Sequence, residues 1–203
     1  MNACFIFGAL DCNAVSTVPQ DGDFIIAADK GLLSVQKLGF KADLIIGDFD
    51  SLGFVPQKNG KIIKLPVRKD DTDVGFALKT AFDMGYRRFY LYGVLGGKLS
   101  HTVANLQLAA DYSKKGADIT LYGENTEAAV ITNKSVSLKN RKGDFSVFSL
   151  DEISNGVSII GAEYELSNAT LKNTFPLGVS NRFKGEQTDL SVVNGTLAII
   201  IEC

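Results

Sequence analysis

"DLIIGDFDS", residues 43–51, sets the reading of this chain. An apolar run, Leu44-Ile45-Ile46, ends at Gly47 and then presents Asp48 and Asp50 two residues apart. A strand that only had to stop could do so with glycine and any polar residue. In extended chain, residues i and i+2 face one side, roughly 6.5–7 Å apart. Two carboxylates so placed repel each other unless a cation lies between them. The run itself is apolar without alternation, as expected of a strand covered on both faces.

The same character recurs on either side, with strands expected at 4–8, 23–28, 43–47, 61–65, 88–93 and 118–122. Helical periods separate them. In "DTDVGFALKTAFDMG" Val74, Ala77, Leu78, Ala81 and Phe82 fall on one face, so a helix is expected over 72–84. "SHTVANLQLAADYSKKG" repeats the pattern with Val103, Leu106, Ala109 and Ala110, and Gly31–Gly39 is a shorter helix closed by its glycine. Strands alternating with helices make residues 1–123 an α/β, Rossmann-like domain with a mostly parallel sheet. Beyond about residue 124 the helical period ends. "EAAVIT", "SVSLKN", "DFSVFSL", "GVSIIGAEYEL", "TDLSVV" and "TLAIIIEC" are short, β-branched runs separated by Lys142-Gly143, Asn155-Gly156 and Asn194-Gly195. The last dipeptide predicts a two-residue hairpin. Residues 124–203 therefore read as an all-β sandwich domain.

Composition narrows the function. With a net charge of −2 and 22% charged residues, nothing points to nucleic acid or an anionic membrane. No apolar stretch reaches the length of a membrane span, and the N-terminal "CFIFGAL" reads as a strand rather than a signal peptide. Cys4, Cys12 and Cys203 lack metal-type spacing, so reduced thiols in the cytoplasm are the simplest expectation.

Ligands of an open parallel sheet bind beyond the carboxyl ends of its strands. Asp29, Asp48, Asp50, Asp70, Asp71 and Asp73 all follow strands on that edge, as does "GVLGGKLSH" before the second long helix. Aspartates also favour turns, and Asp71 or Thr72 can cap a helix, which accounts for one or two of them. The whole set exceeds what capping requires, and hard carboxylate oxygens suit Mg²⁺. Gly96 and Gly97 let backbone approach a ligand, Lys98 adds positive charge, and Ser100 can cap a helix whose free amides favour an anion. His101, the only histidine, stands beside them as a phosphate contact. Acidic metal ligands facing a basic glycine loop suit phosphoryl transfer from a nucleotide.

"AADKG", "DLIIGDFDS", "KDDTD", "GVLGGKLSHTVANLQLA" and "GVSNRFKGEQTDLSVVNGTLAIII", in that order, resemble the thiamine pyrophosphokinase (thiamine diphosphokinase) family over nearly the whole chain. The resemblance implies a cytoplasmic homodimer that moves diphosphate from ATP to the hydroxyl of thiamine and releases AMP. It implies Asp48, Asp50 and Asp73 as Mg²⁺ ligands, with Asp70 and Asp29 close by. It implies Asp70 or Asp73 as the base, and Gly96, Gly97 and Lys98 on phosphate. Ser180 and Asn181 would contact thiamine, bound where α/β and β domains of different subunits meet. Lys98 stands where the family often has Arg, Ser100 where Asp is frequent, and Lys30 where many members have Gly. Pyrophosphorylation of another heteroaromatic alcohol such as a hydroxymethylpterin, nucleotide hydrolysis, and a catalytically silent nucleotide sensor are the alternatives.

Overall fold

The structure is a computed structural model and describes residues 2–49, 61–66 and 71–202. It contains two compact units: Met1–Asn105 with Leu121–Glu124, and Leu106–Thr120 with Asn125–Cys203.

The first unit begins with β1 (Cys4–Phe7), β2 (Phe24–Ala28), α1 (Gly31–Lys37), β3 (Leu44–Gly47) and β4 (Lys61–Lys64). It continues with α2 (Asp73–Asp83) and β5 (Arg88–Tyr92). Its strands lie in the order β5-β1-β2-β3-β4 and every neighbouring pair is parallel. The apolar runs explain this arrangement. β1 and β3 are buried at every position, with Phe5, Phe7 and Ile45 in one layer alongside Val35 of α1. Ile6, Ile26 and Ile46, one residue out of phase, are fully buried as well. β4 is largely exposed and carries lysine at both ends, which suits an edge strand that must not recruit another.

Sheet growth reverses at β1: the chain moves outward through β2, β3 and β4, then returns to place β5 on β1's other side. That gap between the β1 and β5 ends is the switch point of an open parallel sheet. Backbones crowd there. A Cβ on Gly93, which sits at φ +66°, would lie 2.4 Å from the Leu10 carbonyl oxygen, and Leu10 N donates to Gly93 O at 3.2 Å.

Helix α3 (Leu99–Lys114) and β6 (Asp118–Tyr122) are each divided between the units. The second unit then holds β7 (Thr126–Thr132), β8 (Ser135–Lys139), β9 (Asp144–Ser149) and β10 (Ile153–Ile160). β11 (Leu166–Lys172), β12 (Gly178–Arg182), β13 (Gln187–Ser191) and β14 (Thr196–Glu202) complete it. Antiparallel orders β12-β9-β14-β7 and β11-β10-β13-β8 form a sandwich. Phe145, Val147, Leu197 and Ile199 of the former share a buried core with Leu138, Val157, Ile159 and Leu190 of the latter.

Two turn expectations fail in this unit. Asn194-Gly195 does not close a hairpin, because β13 and β14 belong to different sheets. Glycine is needed there for close approach instead: a Cβ on Gly195 would lie 2.4 Å from Ser154 Oγ. Asn155-Gly156 lies inside β10, where Gly156 at φ +68° accompanies a register shift against β11. It is a bulge rather than a turn. "GVSIIGAEYEL" is likewise broken after Ile160, and β11 and β12 are polar strands that no apolar run in the sequence marks. No helix among the described residues is long and apolar enough to cross a membrane.

Candidate active site

A cavity of about 490 Å³ opens at the carboxyl ends of the first unit's strands, within the usual range for small-molecule sites. Five separate chain segments wall it. Ala9 and Leu10 follow β1, Asp29 and Lys30 follow β2, and Asp48 follows β3. Thr72, Asp73 and Val74 open α2, while Val94, Gly96 and Lys98 follow β5. His101 and Asn105 reach in from α3.

Asp29 is buried at 8% exposure and sits at φ +50°. Its amide donates to Ile46 O at 2.8 Å and its carbonyl accepts from Leu32 N at 3.2 Å. The residue thus ties β2 to β3 while turning the chain into α1. Gly31 completes that turn, because a Cβ there would lie 1.9 Å from Phe7 O.

Asp48 lies where the sequence places it, but its surroundings are not extended. β3 ends at Gly47, and Phe49 is buried with φ +64°. The chain therefore leaves strand geometry at the residue after Asp48. A bulky residue held in that region marks stored strain. Asp50 and Asp70, expected as metal ligand and base, lie outside the described residues.

At the start of α2, Thr72 is the N-cap: its Oγ1 accepts from Gly75 N at 3.0 Å. Asp71 accepts from Thr72 N at 2.7 Å and occupies the space a Gly75 side chain would need. Capping thus uses Thr72 and Asp71 and leaves Asp73, in the first turn, on the cavity wall.

The glycine loop behaves differently from its expected form. Gly96 is on the wall at φ +91°, with nothing within 4 Å of a would-be Cβ. Gly97 instead packs toward Leu10, whose Cδ2 would lie 2.8 Å from its Cβ. Ser100 is not the cap, since α3 begins one residue earlier at Leu99; it is exposed and is not one of the cavity's lining residues. Lys98 and His101 line the cavity as expected.

Ser180 and Asn181 lie in β12 of the second unit. Ser180 is exposed at φ +60° and borders a cavity of about 290 Å³ with Asp144, Glu163, Tyr164 and Arg182. Asn181 is buried, and its carboxamide holds both backbone groups of Tyr164: Oδ1 accepts from Tyr164 N at 3.0 Å and Nδ2 donates to Tyr164 O at 2.6 Å. The Arg182 guanidinium at 2.7 Å holds the Asp144 carboxyl below its usual range.

Three carboxylates and two cationic side chains around one cavity suit a phosphorylated ligand with a hard metal ion. Among the described residues no group of three or more His, Cys, Asp or Glu is gathered tightly enough to hold a metal by itself. Mg²⁺ commonly takes only one or two carboxylates and completes its shell with water and phosphate. The all-oxygen donors Asp48 and Asp73 fit that chemistry.

Comparison with known proteins decides among phosphoryl-transfer chemistries. The model of the thiamin pyrophosphokinase catalytic domain matches residues 16–121. The chain belongs to the thiamin pyrophosphokinase family. The family's vitamin B1 binding domain matches residues 135–197, so both parts of a thiamin pyrophosphokinase are present. The thiamine pyrophosphokinase of Bacillus subtilis is 24% identical over 184 residues, 86% of this chain and 85% of that protein. In fold, a crystal structure of a Bacillus subtilis thiamine pyrophosphokinase superposes with a TM-score of 0.85 at 20% identity, covering 100% of this chain and 99% of that one. The Candida albicans enzyme superposes at 0.74 with 14% identity, covering 100% and 89%.

The sequence reading missed Ala9, Leu10, Val94 and Asn105. Ala9 and Leu10 sit in a long β1–β2 connection with no helical period to mark it. Asn105 could have been found: it stands one helical turn before Ala109 of the expected apolar stripe, and it is buried at 6% exposure.

Proposed function

We propose that the protein transfers the terminal diphosphate of ATP to the primary hydroxyl of thiamine, giving thiamine diphosphate and AMP. The observation that carries this reading is the convergence of Asp29, Asp48 and Asp73 with Gly96, Lys98 and His101 on one cavity, in a chain that belongs to the thiamin pyrophosphokinase family.

Asp48 and Asp73, with Asp50, would hold Mg²⁺, which when bound neutralises phosphate charge and orients the chain for in-line attack. Lys98 faces the phosphates as a point charge, and His101 donates a further hydrogen bond. Gly96 lets the ligand come close to backbone. The opening turn of α3 brings unsatisfied amides and the positive end of the helix dipole. The thiamine oxygen forms a bond to the β-phosphorus, the bond from that phosphorus to the α,β-bridging oxygen breaks, and AMP leaves. Asp73 or Asp70 takes the hydroxyl proton.

The proposal extends to assembly and location. Residues 1–123 form the nucleotide- and Mg²⁺-binding domain, and residues 124–203 bind thiamine at Ser180, held in place by the neighbouring Asn181, and pair two copies in a homodimer. Free thiols at Cys4 and Cys12 support work in the reducing cytoplasm. Incubation with ATP, Mg²⁺ and thiamine tests the reaction. AMP and thiamine diphosphate in equal amounts are expected. ADP, or AMP formed equally without thiamine, would reject it.

A further inference from the structure

Every glycine at the cavity's basic edge has a positive φ: 66° at Gly93, 91° at Gly96 and 63° at Gly97. Such a loop has many conformations available to it, yet a phosphate site needs one. Its backbone is held at its start, where Leu10 N donates to Gly93 O at 3.2 Å and Val94 N donates to Tyr122 O at a long 3.5 Å. Further along, the anchors come from α3, one turn apart. Gly96 N donates to Thr102 Oγ1 at 3.2 Å, and the Thr102 hydroxyl donates back to Gly96 O at 3.1 Å. Asn105 Nδ2 donates to Val94 O at 2.8 Å in a buried bond.

Resting on the reading of this cavity as a nucleotide site, we propose that Thr102 and Asn105 are positioning residues that fix the 93–98 loop in its phosphate-binding shape. Positions i and i+3 lie on one helix face, so the pair grips the loop at two points. Thr102 holds both polar groups of one peptide-bearing residue, which fixes its rotation. Asn105 satisfies a carbonyl that would otherwise be buried without a donor. Neither side chain replaces Lys98 or His101 as a ligand contact. Gly96 contributes clearance rather than a free amide, because its N–H is already taken by Thr102.

Thr102→Val keeps the shape and removes the hydroxyl, and Thr102→Ser keeps the hydroxyl. Calorimetric titration with ATP and Mg²⁺ reads binding without requiring turnover. The Val variant is expected to bind about tenfold more weakly, the loss of roughly one net hydrogen-bond pair. The Ser variant should bind within about threefold of the parent, and the KM for thiamine should stay within about twofold in both. Melting temperatures identify a variant that merely unfolds, in which case Asn105→Ser supplies the same comparison at the other anchor. ATP affinity unchanged in Thr102→Val, or thiamine KM raised in parallel with it, would overturn the proposal. A parent protein that binds ATP but makes no thiamine diphosphate removes the reaction proposed above while leaving this comparison intact. A parent that binds no ATP removes both.

Discussion

The two units use polar motif residues in opposite ways. In the first, Asp29, Asp48 and Asp73 come from three separate segments, and the carboxyl ends of a parallel sheet gather them on one cavity. In the second, the Asn181 carboxamide serves backbone, with Oδ1 accepting from Tyr164 N and Arg182 N and Nδ2 donating to Tyr164 O, while the neighbouring Ser180 lies on a cavity wall. A parallel sheet has a polar edge that belongs to its ligand. An antiparallel sandwich with bulged, polar strands needs its own side chains to satisfy its backbone.

The sharpest contrast is expected at the acids. Asp48→Asn and Asp73→Asn should each lower turnover by at least about a hundredfold, since each removes a carboxylate proposed to hold the metal. Melting temperature and circular dichroism should barely change. Near-normal rates in both would dissolve the distinction between the units. Asn181→Ala should do the reverse. Two backbone groups of Tyr164 lose their partner, which costs about 1–3 kcal/mol of stability, while ATP affinity stays at the parent level. Denaturant unfolding and calorimetry read the two quantities separately. An unchanged unfolding midpoint would show that the clamp is not structural.

Glycines divide along the same line. Gly195→Ala should cost about 1–3 kcal/mol through overpacking, since its Cβ would also lie 2.7 Å from Ser154 Cα. Gly96→Ala meets no atom within 4 Å and should cost only the conformational penalty of about 1–2 kcal/mol. Only Gly96→Ala is expected to weaken ATP binding. Equal effects on ATP from both substitutions would contradict the assignment of Gly96 to the site.

How much of this was legible depended on local pattern. The largely apolar runs at 4–8, 43–47 and 88–93 marked parallel strands, and the structure has β1, β3 and β5 there with ends shifted by a residue at most. The acids after them followed from the sheet's geometry. What the sequence concealed was of two kinds. Phe49 gives no sign that it adopts φ +64°, so Asp48 and its neighbour were read as extended. Asn194-Gly195 carries ordinary turn chemistry, and only the pairing of β13 with β10 and β8, and of β14 with β7 and β9, reveals a crossing between sheets. Local residue chemistry does not encode which sheet a strand joins. In the same way, Ser180-Asn181 reads as a turn or a ligand pair until the partner Tyr164, 17 positions away, is seen.

The smallest effects concern pH, and they fall on opposite flanks. Burial pushes the Cys4 thiol of the first unit well above its ordinary value of 9.0. A group raised in the folded state contributes stability that is present below that ordinary value and lost as pH rises past it. Cys4→Ala should flatten the decline in stability above pH 9. Asp144 of the second unit is lowered by Arg182 from its ordinary 3.8, so its contribution is present above that value and lost as pH falls below it. Both partners are exposed to solvent, so Arg182→Gln should change acid unfolding only slightly. Thermal melts across pH check both slopes. A Cys4 variant with an unchanged alkaline slope would place that titration elsewhere.

The central claim is that the acids and the glycine loop of the first unit hold one ligand between them. A crystal structure with Mg²⁺ and α,β-methylene ATP tests it most directly. The account predicts a metal ion on Asp48 and Asp73, with the analogue's phosphates reaching across the cavity to Lys98 and the start of α3. A metal bound elsewhere, or a triphosphate that leaves either side of this cavity untouched, would contradict it.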